Sequence, residues 1–388
     1  MTTSNKLKIY LIAGEPSGDL LGSRLMRALR KKTNNEVEFF GIGGDTMEQE
    51  GLKSLFDISE LAVMGLVEVI PSIPKVLKRI KQTVADIKKN NPDIVITIDS
   101  WSFCSRVHKA LRKQNIGVKQ LHYVAPQVWA WKKRRAKTMY KYVDELLTLL
   151  PNEPQYFTKH HLKTIFVGHP VVESDALKAD GQSFRKKYNI SDEKQVISIL
   201  PGSRHTEVSK LLPDFLTAAH IIYEQNPDVV FALPTVKTVV NRIKHMTRNN
   251  RLPLIILETE NDRYSAFQAS SAAIAASGTV ALELAICNIP HIIAYKVSPL
   301  TYLLAKYLVK IKYVNLTNIM LKRPVVPELL QEKCTPKNIV CNINELLKSG
   351  QEYDKQMQGF ADIKKYLTNG NQTPSENASD AILDLIRC

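Results

Sequence analysis

Two loops stand out for the residue types they bring together. After the apolar, β-branched run 196–200 comes Pro201-Gly202-Ser203-Arg204. A glycine there lets a ligand approach the backbone closely, and an arginine offers a planar fork of donors that suits phosphate. After the run 272–276 comes Ser277-Gly278-Thr279, ahead of a helical pattern at 280–286. The free N–H groups and positive dipole end of a helix start suit a diphosphate. Glu283, one turn inside, is placed to accept hydrogen bonds from ribose hydroxyls. Each loop alone also reads as an ordinary helix cap. Two phosphate-type loops in one half of the chain favour a nucleotide site.

Acidic candidates lie in the other half. Asp99 ends the run 94–98, where a carboxylate suits taking a proton from an attacking hydroxyl, with burial adjusting its pKa. The competing reading is that Asp99, with Ser100 and Ser102, caps the helix that follows. Glu15 is a second candidate acid, in Gly14-Glu15-Pro16-Ser17-Gly18-Asp19. That loop is not G-x-G-x-x-G, and its two acids would repel a pyrophosphate, so the nucleotide is expected in the C-terminal half. The sequence holds no P-loop motif, no D-x-D pair and no His/Asp/Glu cluster with metal-ligand spacing. A reaction without metal or other cofactor is expected.

These loops need strands to carry them. Short β-branched runs at 8–13, 94–98 and 120–124 alternate with helical patterns, and the rhythm restarts after His169-Pro170 with runs at 196–200, 229–233, 254–257, 272–276 and 291–294. That is the pattern of parallel sheets wound with helices. The expected fold is α/β, two Rossmann-like domains facing a central cleft: residues 1–170, residues 171–350, and a C-terminal helical segment 351–388 that packs on the N-terminal domain or is exchanged in a dimer. In open sheets of this kind ligands bind beyond the carboxyl ends of strands, where the loops above lie.

Composition narrows the class. At 388 residues, 44% hydrophobic and 23% charged, the chain reads as a folded two-domain protein. Five scattered cysteines without a C-x-x-C pair suggest neither disulfides nor a zinc knuckle and fit a reducing cytoplasm. The apolar stretch 9–13 is too short for a signal peptide, and Lys296, Lys306, Lys310 and Lys312 interrupt the most apolar region of the second half, so neither export nor a membrane span is expected. Of the net charge of +15, most falls in residues 1–170, with 27 Lys and Arg against 16 Asp and Glu. That half is expected to meet an anionic partner. Met64, Leu66, Val67, Val69, Ile70 and Ile73 precede Lys75, Lys78, Arg79 and Lys81, the pattern of an interfacial helix on an anionic leaflet. Trp129 and Trp131 before Lys132-Lys133-Arg134-Arg135 form a second such cluster. The plainer reading makes the apolar stretch core and the lysines a solvated face. Binding to nucleic acid would also account for the charge, but leaves the phosphate loops without a purpose.

The ordered set of segments is specific. It runs through Ala13-Gly14-Glu15-Pro16-Ser17-Gly18-Asp19, Gly41-Ile42-Gly43-Gly44, Leu61-Ala62-Val63-Met64-Gly65-Leu66-Val67-Glu68-Val69 and His122-Tyr123-Val124-Ala125-Pro126-Gln127-Val128-Trp129-Ala130-Trp131. It continues through Leu200-Pro201-Gly202-Ser203-Arg204, Ser277-Gly278-Thr279 with Glu283, Leu316-Thr317-Asn318 and Glu328-Leu329-Leu330-Gln331. Nearly end to end, the chain resembles the lipid-A-disaccharide synthases, inverting glycosyltransferases of the GT-B type. UDP-N-acetylglucosamine epimerases and peptidoglycan-type N-acetylglucosaminyltransferases share the nucleotide cradle but not the Gly-Glu-x-Ser-Gly-Asp and Val-Trp-Ala-Trp segments.

The resemblance implies transfer of diacylglucosamine from UDP to the 6-hydroxyl of diacylglucosamine 1-phosphate. In its terms Asp99 is the base, and Arg204, Ser277, Gly278, Thr279, Glu283, Asn318 and Gln331 hold UDP. Glu15 sits near the reacting centre, with Ser17 and Gly18 on the acceptor side. It further implies a homodimer with exchanged C-terminal segments, and a peripheral place on the cytoplasmic face of the inner membrane. The family commonly has a small residue and then proline or glycine after the aspartate. This chain has Ser100, Trp101 and Ser102.

Overall fold

The computed structural model describes residues 6–62, 69–126, 128, 135–276, 278–297 and 312–387, with backbone alone at 62 and 69–73. The chain divides into two compact units, Met1–Pro170 with Leu367–Cys388, and Val171–Tyr366.

The first unit is built on six parallel strands: β1 (Leu7–Ala13), β2 (Val37–Ile42), β3 (Ile94–Ile98), β4 (Lys119–Tyr123), β5 (Glu145–Thr148) and β6 (Lys163–Phe166), in the order β2-β1-β3-β4-β5-β6. All five residues of β3, and Ile9 to Ala13 of β1, are buried, because helices cover both faces of the sheet. That is why these strands read as continuous apolar runs rather than alternating ones. The helix after β1 starts at Pro16, since proline at the first position loses no hydrogen bond there. The helix after β3 starts at Trp101, so Ser102 lies inside it. Strands β5 and β6 are four residues each, and the buried Glu145 and exposed Lys163 that begin them mask their strand character; the two side chains pair at 2.7 Å.

The second unit repeats the plan with β7 (Gln195–Leu200), β8 (Val229–Pro234), β9 (Leu254–Leu257), β10 (Ala272–Ala275), β11 (His291–Tyr295) and β12 (Glu328–Leu330), in the order β12-β11-β10-β7-β8-β9. Its core packs the helices His205–Gln225 and Pro336–Leu347 on one face of the sheet through Val208, Leu212, Phe215, Ile339 and Ile343.

The chain end returns to the first unit. The helix Pro374–Arg387 packs Ala378, Ala381, Ile382 and Leu385 into the same core as Leu25 and Leu29, and Lys31 pairs with Glu376 at 3.0 Å. Asn377 Nδ2 donates to the Val167 carbonyl at 3.0 Å, fixing the helix at the end of the sheet.

One acid of the first loop has a structural task. Asp19 is 4% exposed and accepts hydrogen bonds from the main-chain N–H groups of Gly44, Thr46 and Met47 and from the Thr46 hydroxyl, at 2.7 to 3.1 Å. It is the anionic partner of the short helix Asp45–Gln49. Asp19→Ala strands these donors in the interior, so urea unfolding should show a loss of about 3 kcal/mol, with Asp19→Asn recovering part of it.

Candidate active site

In each sheet the chain reverses its direction of travel once, and a crevice opens where the loops of two adjacent strands diverge. In the first unit that point lies between β1 and β3, whose register sets Ala13 beside Ile98. Glu15 and Asp99 therefore leave the sheet side by side. Asp99 and Ser100 both adopt left-handed backbone, with φ of 54° and 40°, a conformation uncommon for residues with a Cβ and more so for serine than for aspartate. The Asp99 N–H donates to the Tyr123 carbonyl at 2.9 Å, and the Ser100 hydroxyl donates to Glu15 Oε1 at 3.3 Å. Ser100, the residue that opens the helix Trp101–Lys113, makes no capping bond with its side chain. The half-buried Asp99 carboxyl is held above the ordinary carboxylate range by burial, partly offset by the Ser100 N–H. Ser17 is exposed on the first turn of the helix after β1, and Gly18 beside it is buried.

A buried polar chain lies under this turn. Thr97 Oγ1 is 2.8 Å from His108 Nε2 and 2.6 Å from His122 Nδ1, and His108 Nδ1 is 2.7 Å from Gln120 Oε1. With the Gln120 oxygen as acceptor, His108 donates through Nδ1, Thr97 donates to His108, and His122 donates to Thr97. His122 Nε2 then keeps a lone pair without a hydrogen-bond partner among the described residues. Trp101 covers the group, its ring 4.7 Å from His122 and 6.1 Å from His108. Burial lowers His108 to about 4 and His122 well below the ordinary imidazole value, so both are neutral.

In the second unit the reversal lies between β7 and β10, with Leu200 beside Ala275. A cavity of about 480 Å³ opens there, lined by Gly202, Ser203, Arg204, Glu207, Pro234, Thr235, Val236, Arg263, Gly278, Thr279 and Glu283 among others. Arg204, Gly278, Thr279 and Glu283 thus come together as the loops suggest, while Ser277 lies outside the described residues. The helix Thr279–Ile286 has Gly278 at its start and no side-chain cap among the described residues, and the space beside Gly278 is open. Glu283 Oε2 lies 4.0 Å from the Arg263 guanidinium. Two further polar atoms of the cavity residues, Thr235 Oγ1 and Arg263 Nε, are buried without a hydrogen-bond partner among the described residues.

Asn318 and Gln331 stand outside the lining of this cavity. Asn318 is 1% exposed; its Nδ2 donates to the Val326 carbonyl and Glu328, and its Oδ1 accepts from the Val325 and Val326 N–H groups. Gln331 Oε1 accepts from the Val297 N–H at 2.8 Å. Both side chains hold neighbouring loops in place.

Among the presumed membrane residues, Met64, Leu66 and Val67 lie outside the described residues, as do Trp129, Trp131, Lys132, Lys133 and Arg134, and the side chains of Val69, Ile70 and Ile73. The helix Val69–Asn90 shows an exposed Leu77 with Lys75, Lys78 and Lys81. Arg79 makes a two-point bond to Glu60 and covers the Phe56 ring at 4.6 Å, and Lys75 pairs with the same Glu60 at 3.2 Å. Among the described residues no helix is long and apolar enough to cross a membrane.

The model of the family described as lipid-A-disaccharide synthetase matches residues 9–382. Lipid-A-disaccharide synthase of Rhodospirillum centenum is 45% identical over 380 residues, 98% of this chain and 95% of the relative. That of Paramagnetospirillum magneticum is 46% identical over 381 residues, 98% and 97% of the two chains. Among solved structures, the glycotransferase of kitacinnamycin gives a TM-score of 0.65 at 12% identity over 97% of this chain and 98% of the other. UDP-GlcNAc 2-epimerase of Neisseria meningitidis, solved with UDP-GlcNAc, gives 0.64 at 12% identity over 98% and 100%. These likenesses show the fold, two Rossmann-like domains of the GT-B kind.

Reading the loops misses Thr235, Arg263, Glu207 and the Thr97–His108–His122 chain. Only Glu207 left a signal, an acid three residues past Arg204 at the start of a helix. The buried imidazoles set a pH dependence. Their folded pKa values lie below the ordinary 6.5, so the unfolded chain takes up protons first and stability falls as pH drops below about 6.5, by up to about 1.4 kcal/mol per pH unit for each group. Asp99, shifted upward, acts in the opposite sense at lower pH. Urea unfolding should show a plateau between pH 7 and 8, a decline below 6.5, and a shallower decline in His108→Gln.

Proposed function

The chain belongs to the lipid-A-disaccharide synthetase family, and on that premise we propose how its loops divide the work of one glycosyl transfer. The family carries out the disaccharide-forming step of lipid A biosynthesis, with a UDP-sugar donor and a sugar acceptor. The donor is UDP-2,3-diacylglucosamine and the acceptor 2,3-diacylglucosamine 1-phosphate; the products are the β-1,6 disaccharide 1-phosphate and UDP. That the Neisseria epimerase of the same fold was solved with UDP-GlcNAc supports a UDP-sugar in the second unit.

The reaction is a single inverting displacement. The acceptor 6-oxygen forms a bond to the donor anomeric carbon, the bond from that carbon to the β-phosphate oxygen breaks with its electron pair, and the hydroxyl proton passes to Asp99. The observation that carries this reading is the Asp99 turn: a half-buried carboxylate held in a left-handed conformation at the switch point, with its pKa raised toward that of a useful base. Glu15 fixes Ser100 and with it the turn, and Ser17 and Gly18 border the acceptor. On the donor side, Arg204 and the open helix start at Gly278 and Thr279 offset charge growing on the departing diphosphate, which is the task a metal ion performs elsewhere. Glu283 accepts from the ribose hydroxyls.

Both substrates are amphiphiles, so the enzyme works at a surface. Leu77 with Lys75, Lys78 and Lys81 is a basic, partly apolar face suited to an anionic leaflet, and we place the enzyme peripherally at the cytoplasmic side of the inner membrane.

Turnover in detergent micelles tests the assignment. Wild type should form disaccharide and UDP equally well with EDTA present; loss of activity on chelation would overturn the metal-free mechanism. Asp99→Asn should lower kcat about a hundredfold or more with donor KM little changed. Because the base must be ionised and its pKa is raised, wild-type kcat should climb through a limb lying above the ordinary carboxylate value of about 4. An Asp99→Asn enzyme of near-normal kcat would remove Asp99 from the base role.

A further inference from the structure

Glu207 receives more hydrogen bonds than a helix cap requires. Its side chain is 12% exposed. Oε2 accepts from the main-chain N–H groups of Ser203 and Arg204, at 3.2 and 3.3 Å. Oε1 accepts from Arg204 Nη1 at 2.7 Å and from the Tyr295 hydroxyl at 3.2 Å. The loop is shaped around this carboxylate. Gly202 has φ of 105°, and a Cβ there would stand 2.4 Å from Glu207 Oε2, so no other residue fits without displacing the acid.

Tyr295 ends β11 and Arg204 follows β7, and the strand that separates them in the sheet is β10. The line Tyr295–Glu207–Arg204 therefore spans the end of β10, from which the chain leads to Gly278 and Thr279. Arg204 is 75% exposed and lines the cavity, with one guanidinium N–H spent on Glu207 and the others free among the described residues to meet an anion. An exposed arginine otherwise samples many rotamers, and fixing it before the ligand arrives removes part of the entropy loss on binding. A bare carboxylate so near a diphosphate would repel it, but this one has its charge directed into four donors.

We propose that Glu207, anchored by Tyr295, is a positioning residue that holds Arg204 ready for the diphosphate of the donor. The proposal rests on the reading of Arg204 as a diphosphate ligand. Its test is a double-mutant cycle on nucleotide binding, with UDP and UMP as probes, measured by calorimetry on the full chain.

Arg204→Ala should weaken UDP at least tenfold and UMP far less. Glu207→Gln should weaken UDP about tenfold and UMP less than about twofold, and in the Arg204→Ala background it should change UDP affinity less than about twofold, since nothing is left to position. If the two losses multiply in full, Glu207 acts apart from Arg204 and the proposal fails while the diphosphate reading stands. If Arg204→Ala leaves UDP binding intact, both fall. Tyr295→Phe keeps the loop's own bonds to Glu207 and serves if Glu207→Gln does not fold. It should weaken UDP about threefold and leave UMP unchanged, and wild-type UDP affinity in that variant would overturn the tether.

Discussion

A parallel sheet that is wound in both directions has one place where neighbouring loops part, and everything functional in this chain depends on that constraint. In the first unit it separates β1 from β3, in the second β7 from β10. The strands themselves are buried and largely apolar, and the polar side chains they do carry, such as Thr97, Gln120 and His122, are enclosed. Polar groups gather at their carboxyl ends, where backbone N–H groups no longer needed by the ladder are free to bond. The two units use the same opening in opposite electrostatic senses. The first places acids there, Glu15 and Asp99; the second places Arg204 and a helix start. A nucleophile that must lose a proton and a leaving group that must gain negative charge have those complementary needs.

Each opening is stiffened from beneath. Under Asp99 the support is the hydrogen-bonded chain from Gln120 through His108 and Thr97 to His122, which ties β3 to β4 and to the helix Trp101–Lys113. Under Arg204 it is Glu207 with Tyr295. In both cases hydrogen-bonded polar groups replace apolar packing, although in the first Gln120 Nε2 and His122 Nε2 have no hydrogen-bond partner among the described residues. Asn318 shows the same economy outside the cavity lining, where one buried amide makes four bonds and sets the path of residues 325–328.

The ends of long apolar strands were legible in the sequence, and with them the loops at Glu15, Asp99, Arg204 and Gly278. A β-branched run closed by glycine or serine announces its own boundary. Strands β2, β5, β6 and β12 were not read; of these β5, β6 and β12 are three or four residues beginning with a charged side chain and give no period to read. Nor were Thr235, Arg263 or the histidine chain, because those residues meet only after strands pair and helices pack. Asn318 and Gln331 came from resemblance alone, and in the fold they brace loops beside the cavity. Arg79 belongs by spacing to a basic face, yet its guanidinium is bonded to Glu60 and covers Phe56.

Trp101 is the instructive case. Two residues past the aspartate, a bulky ring would be expected to crowd the acceptor. The ring instead turns inward over His122 and His108 and becomes the lid of their buried chain. That placement fits the backbone: Asp99 and Ser100, both left-handed, reverse the direction of the chain just before it, so the next side chain points back toward the sheet. A proline would limit the preceding residue and rigidify the turn through φ. Trp101 rigidifies it through packing, and Ser100 stays free to bond Glu15. Packing of Trp101 therefore holds the turn, with Asp99 at the carboxyl end of β3.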